Sequence, residues 1–351
     1  MVMTDSFLRS APAGSPLFMV MHDPVIHRFI SYLADRKNEQ EQHPGLPLRI
    51  ELSREFVESV RESFKLHILH GEQSLHTLSH LLASSLLGDT VELHSNVIGT
   101  LPGGENRPFL IRERITRESL FAHTDIDLGN HMLGRFRYQT DGEWNALELS
   151  ANFVEYLPQE PSGTGVNRIT SRVKAEEELW NKVTDELFNL DHLVRQDKHL
   201  RQLSKYIKDV FGIKIVSDDE ATCLRVHDRL QLLRFPGAEG EERMEFLETK
   251  DYLTCDASRM KKTGWRALKS VVRWHGQLFE IQVQPLSNYY LELDHMAGPS
   301  HRSFKAERDA LRLEITRRLP LYGFYRDLLR MLFMKASISF EAENASVVIT
   351  D

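Results

Sequence analysis

The chain has 351 residues, 41% of them hydrophobic and 27% charged, with a formal net charge of −7 at pH 7. That length holds two cores, the composition excludes collagenous, coiled-coil and disordered classes, and the negative balance excludes a general nucleic-acid coat, which needs a positive field. The two cysteines, Cys223 and Cys255, form no CxxC pair and exclude a disulfide framework or a zinc site.

The run PLFMVM near the N-terminus is short and is preceded by Asp5 and Arg9, a poor signal peptide, and no uninterrupted apolar run approaches a membrane span. The expectation is a cytoplasmic protein with no membrane contact. Residues 53–88 contain no proline and repeat apolar residues at helical spacing, which predicts helix with a break near Gly71. His67, His70, His76 and His80 fall on that stretch at spacings of three and four. They are read as boundary residues of an amphipathic helix rather than as metal ligands.

Residues 108–157 turn strand-like in FLIRERITR, GRFRYQ and ALELSANFVEYL, the last two joined around the turn pair Asp141-Gly142. The segment LPQEPSGTGVN at 157–167 gathers prolines, glycines and small polar residues, so the domain boundary is placed there. This gives an N-terminal domain over 1–157, a linker over 158–167, a second domain over 168–335 and a tail over 336–351. Residues 168–207 read as helix and FGIKIV at 211–216 as strand. Helix is expected around 218–234 and a loop at 236–242. Two strands follow, ALKSVVRW at 267–274 and LFEIQVQ at 278–284, with a tight turn at His275-Gly276. Helical pattern resumes over 302–335, including LPLYGFYRDLLRMLF at 319–333, and the tail SISFEAENASVVITD is read as either an edge strand or loose chain. The fold class is α+β: a mixed sheet flanked by helices, with a separate mixed α/β N-terminal domain.

Four stretches of the second domain carry chemistry. In SRVKAEEELWNKV, Lys174, Glu178 and Lys182 share one helix face beside an apolar stripe. In KDVFGIKIV, Asp209 leads into a buried strand, a place from which a carboxylate can hold Mg²⁺. In FLETKDYLTCDASRMKKTGWRALKSVV, Lys250, Arg259, Lys261, Lys262 and Arg266 surround Trp265, and cations beside an aromatic plate suit a nucleotide. In GQLFEIQVQP, Phe279, Ile281 and Val283 alternate with Glu280, Gln282 and Gln284, the pattern of a half-buried strand whose polar face ordinarily meets water. Trp274 and the pair Tyr289-Tyr290 are read as packing residues.

In this order and spacing, Arg172, Lys174, Lys182, Asp209 in DVFGIKIV, Lys250 in KDYL, Gly264 and Trp265 in TGWRALK, Glu280 and Gln282 in EIQVQ, and Glu292 with His295 in ELDH resemble the synthetase domain of the RelA/SpoT family. The resemblance covers about residues 168–306. It implies a nucleotidyltransferase-like fold and transfer of pyrophosphate from ATP, with Mg²⁺ as cofactor, to the 3′-hydroxyl of a guanine nucleotide such as GDP or GTP. It further implies Glu280 as general base and metal ligand with Asp209. Arg172, Lys174 and Lys182 would grip the ATP phosphates, as would Lys214 and Lys250, while Trp265, Arg266, Lys269, Gln282 and His295 would form the acceptor side.

The sequence departs from the family pattern at Lys214, Trp265, Lys269, Gln284 and Glu178, where the family carries arginine, tyrosine, histidine, arginine and serine. These changes fall mostly on acceptor selection, so an adenine nucleotide or the 3′ end of tRNA stand as alternative acceptors, as in toxic small alarmone synthetases. A non-catalytic nucleotide sensor of the same fold is the reading from another class. Residues 1–157 match no hydrolase motif, HTDID at 123–127 included, and are read as a regulatory, targeting or partner-binding domain of unknown role, one option being neutralisation of the synthetase in the manner of fused antitoxins.

Overall fold

The structure, a computed structural model, describes residues 23–100, 109–123, 125–140, 142–173, 180–181, 183–184, 187–188, 211–237, 240–255, 265–297, 314–334 and 345–351. In chain order these contain α1 (Pro24–Gln42), β1 (Leu48–Ser53), α2 (Arg54–Leu87), β2 (Val91–Thr100), β3 (Phe109–Ile115), α3 (Arg117–Ala122) and α4 (Asp125–Gly134). There follow β4 (Arg137–Thr140), β5 (Glu143–Ala146), β6 (Glu148–Pro158), β7 (Val166–Val173), β8 (Phe211–Ser217), α5 (Glu220–Leu232), β9 (Phe235–Gly237) and β10 (Gly240–Glu242). The last are β11 (Glu245–Asp251), β12 (Leu268–Trp274), β13 (Gln277–Pro285), α6 (Leu286–Ala297), α7 (Pro320–Met334) and β14 (Ala345–Thr350). The chain divides into two compact units, one of residues 1–69, 175–208 and 302–351, the other of residues 70–174 and 209–301.

In the first unit, Asp23 caps α1 by accepting the amides of Val25 and Ile26 at 2.9 and 3.0 Å, which satisfies donors that a helix start leaves open. The apolar stripe of α1 buries Ile26, Phe29, Ile30 and Leu33. Phe29 meets Phe333 of α7 edge-on at 5.6 Å, and Trp180 stacks flat on the same Phe333 at 3.9 Å. The amphipathic helix expected over 319–333 is α7, with its early proline in the first turn, where the missing N–H is harmless. β14 adds to β1 in parallel, so part of the expected tail is a strand.

The second unit is organised by one eight-stranded sheet of order β11-β12-β13-β8-β7-β6-β2-β3. Only β8 and β13 pair in parallel; the other neighbours run antiparallel, which makes the sheet mixed. One face is apolar. Ile213, Ile215, Phe279, Ile281 and Val283 are buried there under Cys223, Val226 and Leu230 of α5, and burial pushes the Cys223 thiol up to about 12. Farther along the sheet, Met132 and Leu133 of α4 pack on Val97.

Several expectations are corrected by this architecture. The segment 158–167 is not a linker between domains, because it connects the antiparallel neighbours β6 and β7 of one sheet. Its small residues serve a turn: Gly165 takes a φ of +73°, and the Thr164 hydroxyl donates to the Leu86 carbonyl at 2.6 Å. Residues 166–173 form strand rather than helix, since Val166, Ile169, Thr170 and Val173 suit a strand held between β6 and β8. The helix over 53–88 runs through Gly71 unbroken. The glycine is there for contact: a Cβ at that position would lie 2.0 Å from Cζ of Phe211. The loop at 236–242 is the hairpin β9–β10, and β11 and α6 were not anticipated.

Candidate functional site

The site begins with a hairpin. His275 and Gly276 adopt φ of 48° and 75°, the left-handed pair that a two-residue turn between twisted strands requires, and this fixes the register of β12 on β13. Lys269 then pairs with Gln282 and Val271 with Glu280. On the other side of β13, Glu280 pairs with Gly212 and Gln282 with Lys214; one strand further, Arg172 pairs with Gly212 and Thr170 with Lys214. Because paired residues point to the same face, this register sets Lys269, Glu280, Gln282, Lys214, Thr170 and Arg172 on one face of the sheet. Gly212 has no side chain to fill the gap between Arg172 and Glu280. A small cleft opens there, lined by Thr170, Arg172, Gly212, Ile213, Lys214, Glu280 and Gln282.

The polar face of β13 does not meet water as its alternation predicted: Glu280 is 3% exposed and Gln284 is fully buried. Over Gln284 lies α6, which packs on β13 and β8 and brings its own polar groups to that face. Buried polar groups need partners, and Glu280 and Gln284 each have at least one. Glu280 forms an ion pair with the Lys269 ammonium and accepts the amide of Gln282. Glu292 of α6 accepts from Lys214 Nζ at 2.6 Å, from Trp265 Nε1 at 2.7 Å and from Gln284 Nε2 at 2.9 Å. Burial works against the charge of Glu292, but Lys214 and these amide and indole donors outweigh it and hold its pKa below the usual carboxylate value. Burial and the nearby Arg172 draw Lys214 below an ordinary lysine, against the pull of Glu292. Arg172 has no ion-pair partner among the described residues and faces the cleft.

Next along the same face, the buried Glu155 of β6 accepts Arg168 at 2.7 Å, is paired with Arg112 at 3.0 Å and meets the Tyr289 hydroxyl at 3.4 Å. Tyr289 is a packing residue, as expected, while Tyr290 is half exposed; Trp274 is buried in the core.

Of the expected site residues, the cleft therefore gathers Arg172, Lys214, Glu280 and Gln282, with Lys269 bound to Glu280 and Trp265 reached through Glu292. Arg172 reaches it from a strand, not from the helix face assigned to it. Lys250 lies on β11 beside Glu248 at 2.8 Å, whose hydrogen bond raises its pKa. Arg266 is turned to Glu220 and to the Leu253 carbonyl. Lys174, Lys182, Glu178 and Asp209 lie outside the described residues, as does the side chain of His295 in α6. The histidines of α2 are dispersed: His67 pairs with Asp23 at 3.1 Å, His76 is buried against Phe121, and His80 sits by Arg117. Among the described residues no cluster of three metal-ligating side chains occurs, and no helix is long and apolar enough to cross a membrane. Sequence reading missed Thr170 as a lining residue; the i, i+2 spacing of Thr170 and Arg172 on a strand was its signal.

No protein-family model matches the chain, and no curated protein does. Among solved structures the chain is similar to small alarmone synthetase 1 from Bacillus subtilis, at 14% identity over 49% of this chain and 77% of that one, with a TM-score of 0.26. A second structure of that protein, bound to its product pppGpp, matches at 14% identity over 49% of this chain and 76% of that one, with a TM-score of 0.22. A GTP pyrophosphokinase family protein from Streptococcus pneumoniae matches at 19% identity over 51% of this chain and 75% of that one, with a TM-score of 0.27. A likeness of this extent assigns no activity.

Proposed function

We propose that the chain is an ATP-dependent pyrophosphokinase that transfers the β,γ-pyrophosphate of ATP to the 3′-hydroxyl of a guanine nucleotide. The observation that carries this reading is the convergence, in one cleft, of two cations for phosphate, Arg172 and Lys214, with a buried carboxylate, Glu280, and an amide, Gln282. The motif resemblance supports it at Arg172, Glu280 and Gln282, while Lys214 stands where the family carries arginine.

In this reading the 3′-oxygen of the acceptor bonds to the β-phosphorus, the bond from that phosphorus to the bridging oxygen of the α-phosphate breaks, and AMP leaves. Glu280 takes the hydroxyl proton, and Arg172 and Lys214 neutralise phosphate oxygens as the charge redistributes. Gln282 orients the acceptor sugar, and Trp265 offers a plate for its base. Mg²⁺ binds through one or two carboxylates together with substrate phosphates, and Glu280 with Asp209 is a donor set of that size. When bound, the ion would supply charge neutralisation on the triphosphate. The strands β2, β3 and β6 of the expected N-terminal domain complete the sheet that carries the cleft, which supports a scaffolding role for them.

The Lys269–Glu280 ion pair favours one second reading, a nucleotide sensor in which Glu280 never acts as base. Incubation with β-labelled ATP, Mg²⁺ and, in parallel, guanine nucleotides, adenine nucleotides and bulk tRNA separates the two. Label on a guanine nucleotide supports the enzyme as proposed, and label on adenine nucleotide or tRNA corrects the acceptor. No transfer to any acceptor, with nucleotide binding measurable, selects the sensor.

A further inference from the structure

The cleft is tied to Trp265 by a continuous, partly buried hydrogen-bond network. Lys214 donates to Glu292, and Glu292 accepts the Trp265 indole on its other oxygen. Gln284 donates to Glu292 at 2.9 Å and accepts from Asn288 at 2.9 Å, and the Asn288 carbonyl oxygen accepts the Arg266 amide at 3.0 Å. Gln284 is fully buried and Asn288 is 4% exposed, so the bond between them is shielded from bulk water. The Gln284 amide suits its position because it donates on one side and accepts on the other; an arginine has no acceptor. Lys214 and Trp265 are 51 positions apart in sequence, and one carboxylate serves both.

We propose that Glu292 is a positioning residue that couples phosphate occupancy of the cleft to the setting of the Trp265 ring. The inference rests on the phosphate-binding reading of the cleft. In the structure the Lys214 ammonium is paired with Glu292. A phosphate arriving between Arg172 and Lys214 draws the ammonium toward itself, and the carboxylate that loses a cation leans on its remaining donors, Trp265 and Gln284. Bonds in a buried network strengthen and weaken together, so the indole is held differently when the cleft is filled. By linkage, a base stacked on Trp265 alters phosphate affinity by the same factor. Donor and acceptor are thereby made to bind as a pair.

The test uses the full chain labelled with 5-fluorotryptophan, whose four tryptophans give four fluorine resonances, with Trp265 assigned by Trp265→Phe. Inorganic tripolyphosphate is the probe, its binding followed in parallel by calorimetry. The expected result is a shift of the Trp265 resonance that saturates with the calorimetric midpoint, and loss of that shift in Glu292→Gln although tripolyphosphate still binds. Binding without a Trp265 shift, or a shift that survives in Glu292→Gln, overturns the coupling. If Glu292→Gln does not fold, Lys214→Met at saturating tripolyphosphate takes its place: Arg172 still binds the probe, the shift is expected to vanish, and its persistence overturns the proposal. Absence of tripolyphosphate binding to the unmodified chain overturns the phosphate reading and the coupling with it. A responsive Trp265 with no label transfer to any acceptor overturns the pyrophosphokinase and leaves the coupling standing.

Discussion

Gly71→Ala isolates the packing that seats the central strand of the sheet. An exposed helix glycine replaced by alanine gains about 1 kcal/mol of helix propensity. Here the new Cβ would lie 2.0 and 2.3 Å from Cζ and Cε2 of Phe211, against an ordinary contact that starts at 3.4 Å, so the ring must retreat by about 1.4 Å. Phe211 is 1% exposed and its ring lies 6.1 Å from that of Phe279, which leaves it little space to turn into. Forced overpacking of this kind costs about 1–3 kcal/mol, occasionally more. Since the misfit here exceeds a van der Waals adjustment, the upper part of that range applies. The net expectation is a loss of about 1–2 kcal/mol, read as a urea midpoint lower by roughly 0.5–1 M at an unchanged slope. Phe211→Leu added to Gly71→Ala should recover part of the loss, because it removes the struck atoms. A Gly71→Ala midpoint at or above that of the unmodified chain would refute the reasoning, since it would mean that Phe211 yields freely.

Other expectations follow from single residues. Glu280→Gln should lower label transfer by about 10²–10⁴-fold, the range for loss of a general base, with nucleotide binding retained; unchanged turnover would remove Glu280 from that role. Trp180→Ala should cost about 3–5 kcal/mol in the first unit, as it removes a fully buried ring stacked on Phe333, and a thermal midpoint shift of only a degree or two would contradict the stacking. Burial opposes the charge of Asp23, but the Ile26 amide, His67 and the Val25 amide outweigh it and hold its pKa below 3.8. Its contribution to stability is therefore fully present above pH 3.8 and is lost as pH falls through the lower, folded value. Asp23→Ala should cost about 1 kcal/mol at neutral pH and flatten that acid limb, as measured by urea midpoints across pH. Cys255, which is partly exposed, should react with a thiol reagent in the folded chain, whereas Cys223, with its thiol pushed up to about 12, should wait for unfolding.

The β12–β13 hairpin was legible because local chemistry decides it: a turn pair able to take positive φ between two alternating runs. The strand at 211–216 was equally plain, as an apolar run that follows a helical sequence pattern. Arg172 was assigned to a helix because residues 168–183 lack proline and show helical ion-pair spacing further on, while the β-branched residues at its start respond to a sheet not yet in view. The boundary at 157–167 misled for a related reason. Proline and glycine mark a turn whether it joins two strands or two domains, and only the pairing of β6 with β7 distinguishes them. The burial of Gln284 could not be read from alternation, since the covering element, α6, is itself polar toward the sheet. What the sequence did show at the site was the residue types; which charges are already paired, Lys269 with Glu280 and Lys214 with Glu292, emerged from the register.

The pairing of β1 with β14 has a consequence for how the chain comes to be folded. Leu48 meets Ala345 and Ser53 meets Thr350, so this parallel ribbon joins segments separated by nearly the whole sequence. A ribosome adds about 5–20 residues each second, so β1 waits on the order of 15–60 s for its partner to be made. During that interval the backbone donors and acceptors of β1 along that edge face water or other chains, and closing so long a loop is slow besides. The half-made protein is thus most exposed to strand exchange at residues 48–53, and a holding chaperone would be expected to act there until the last strand arrives.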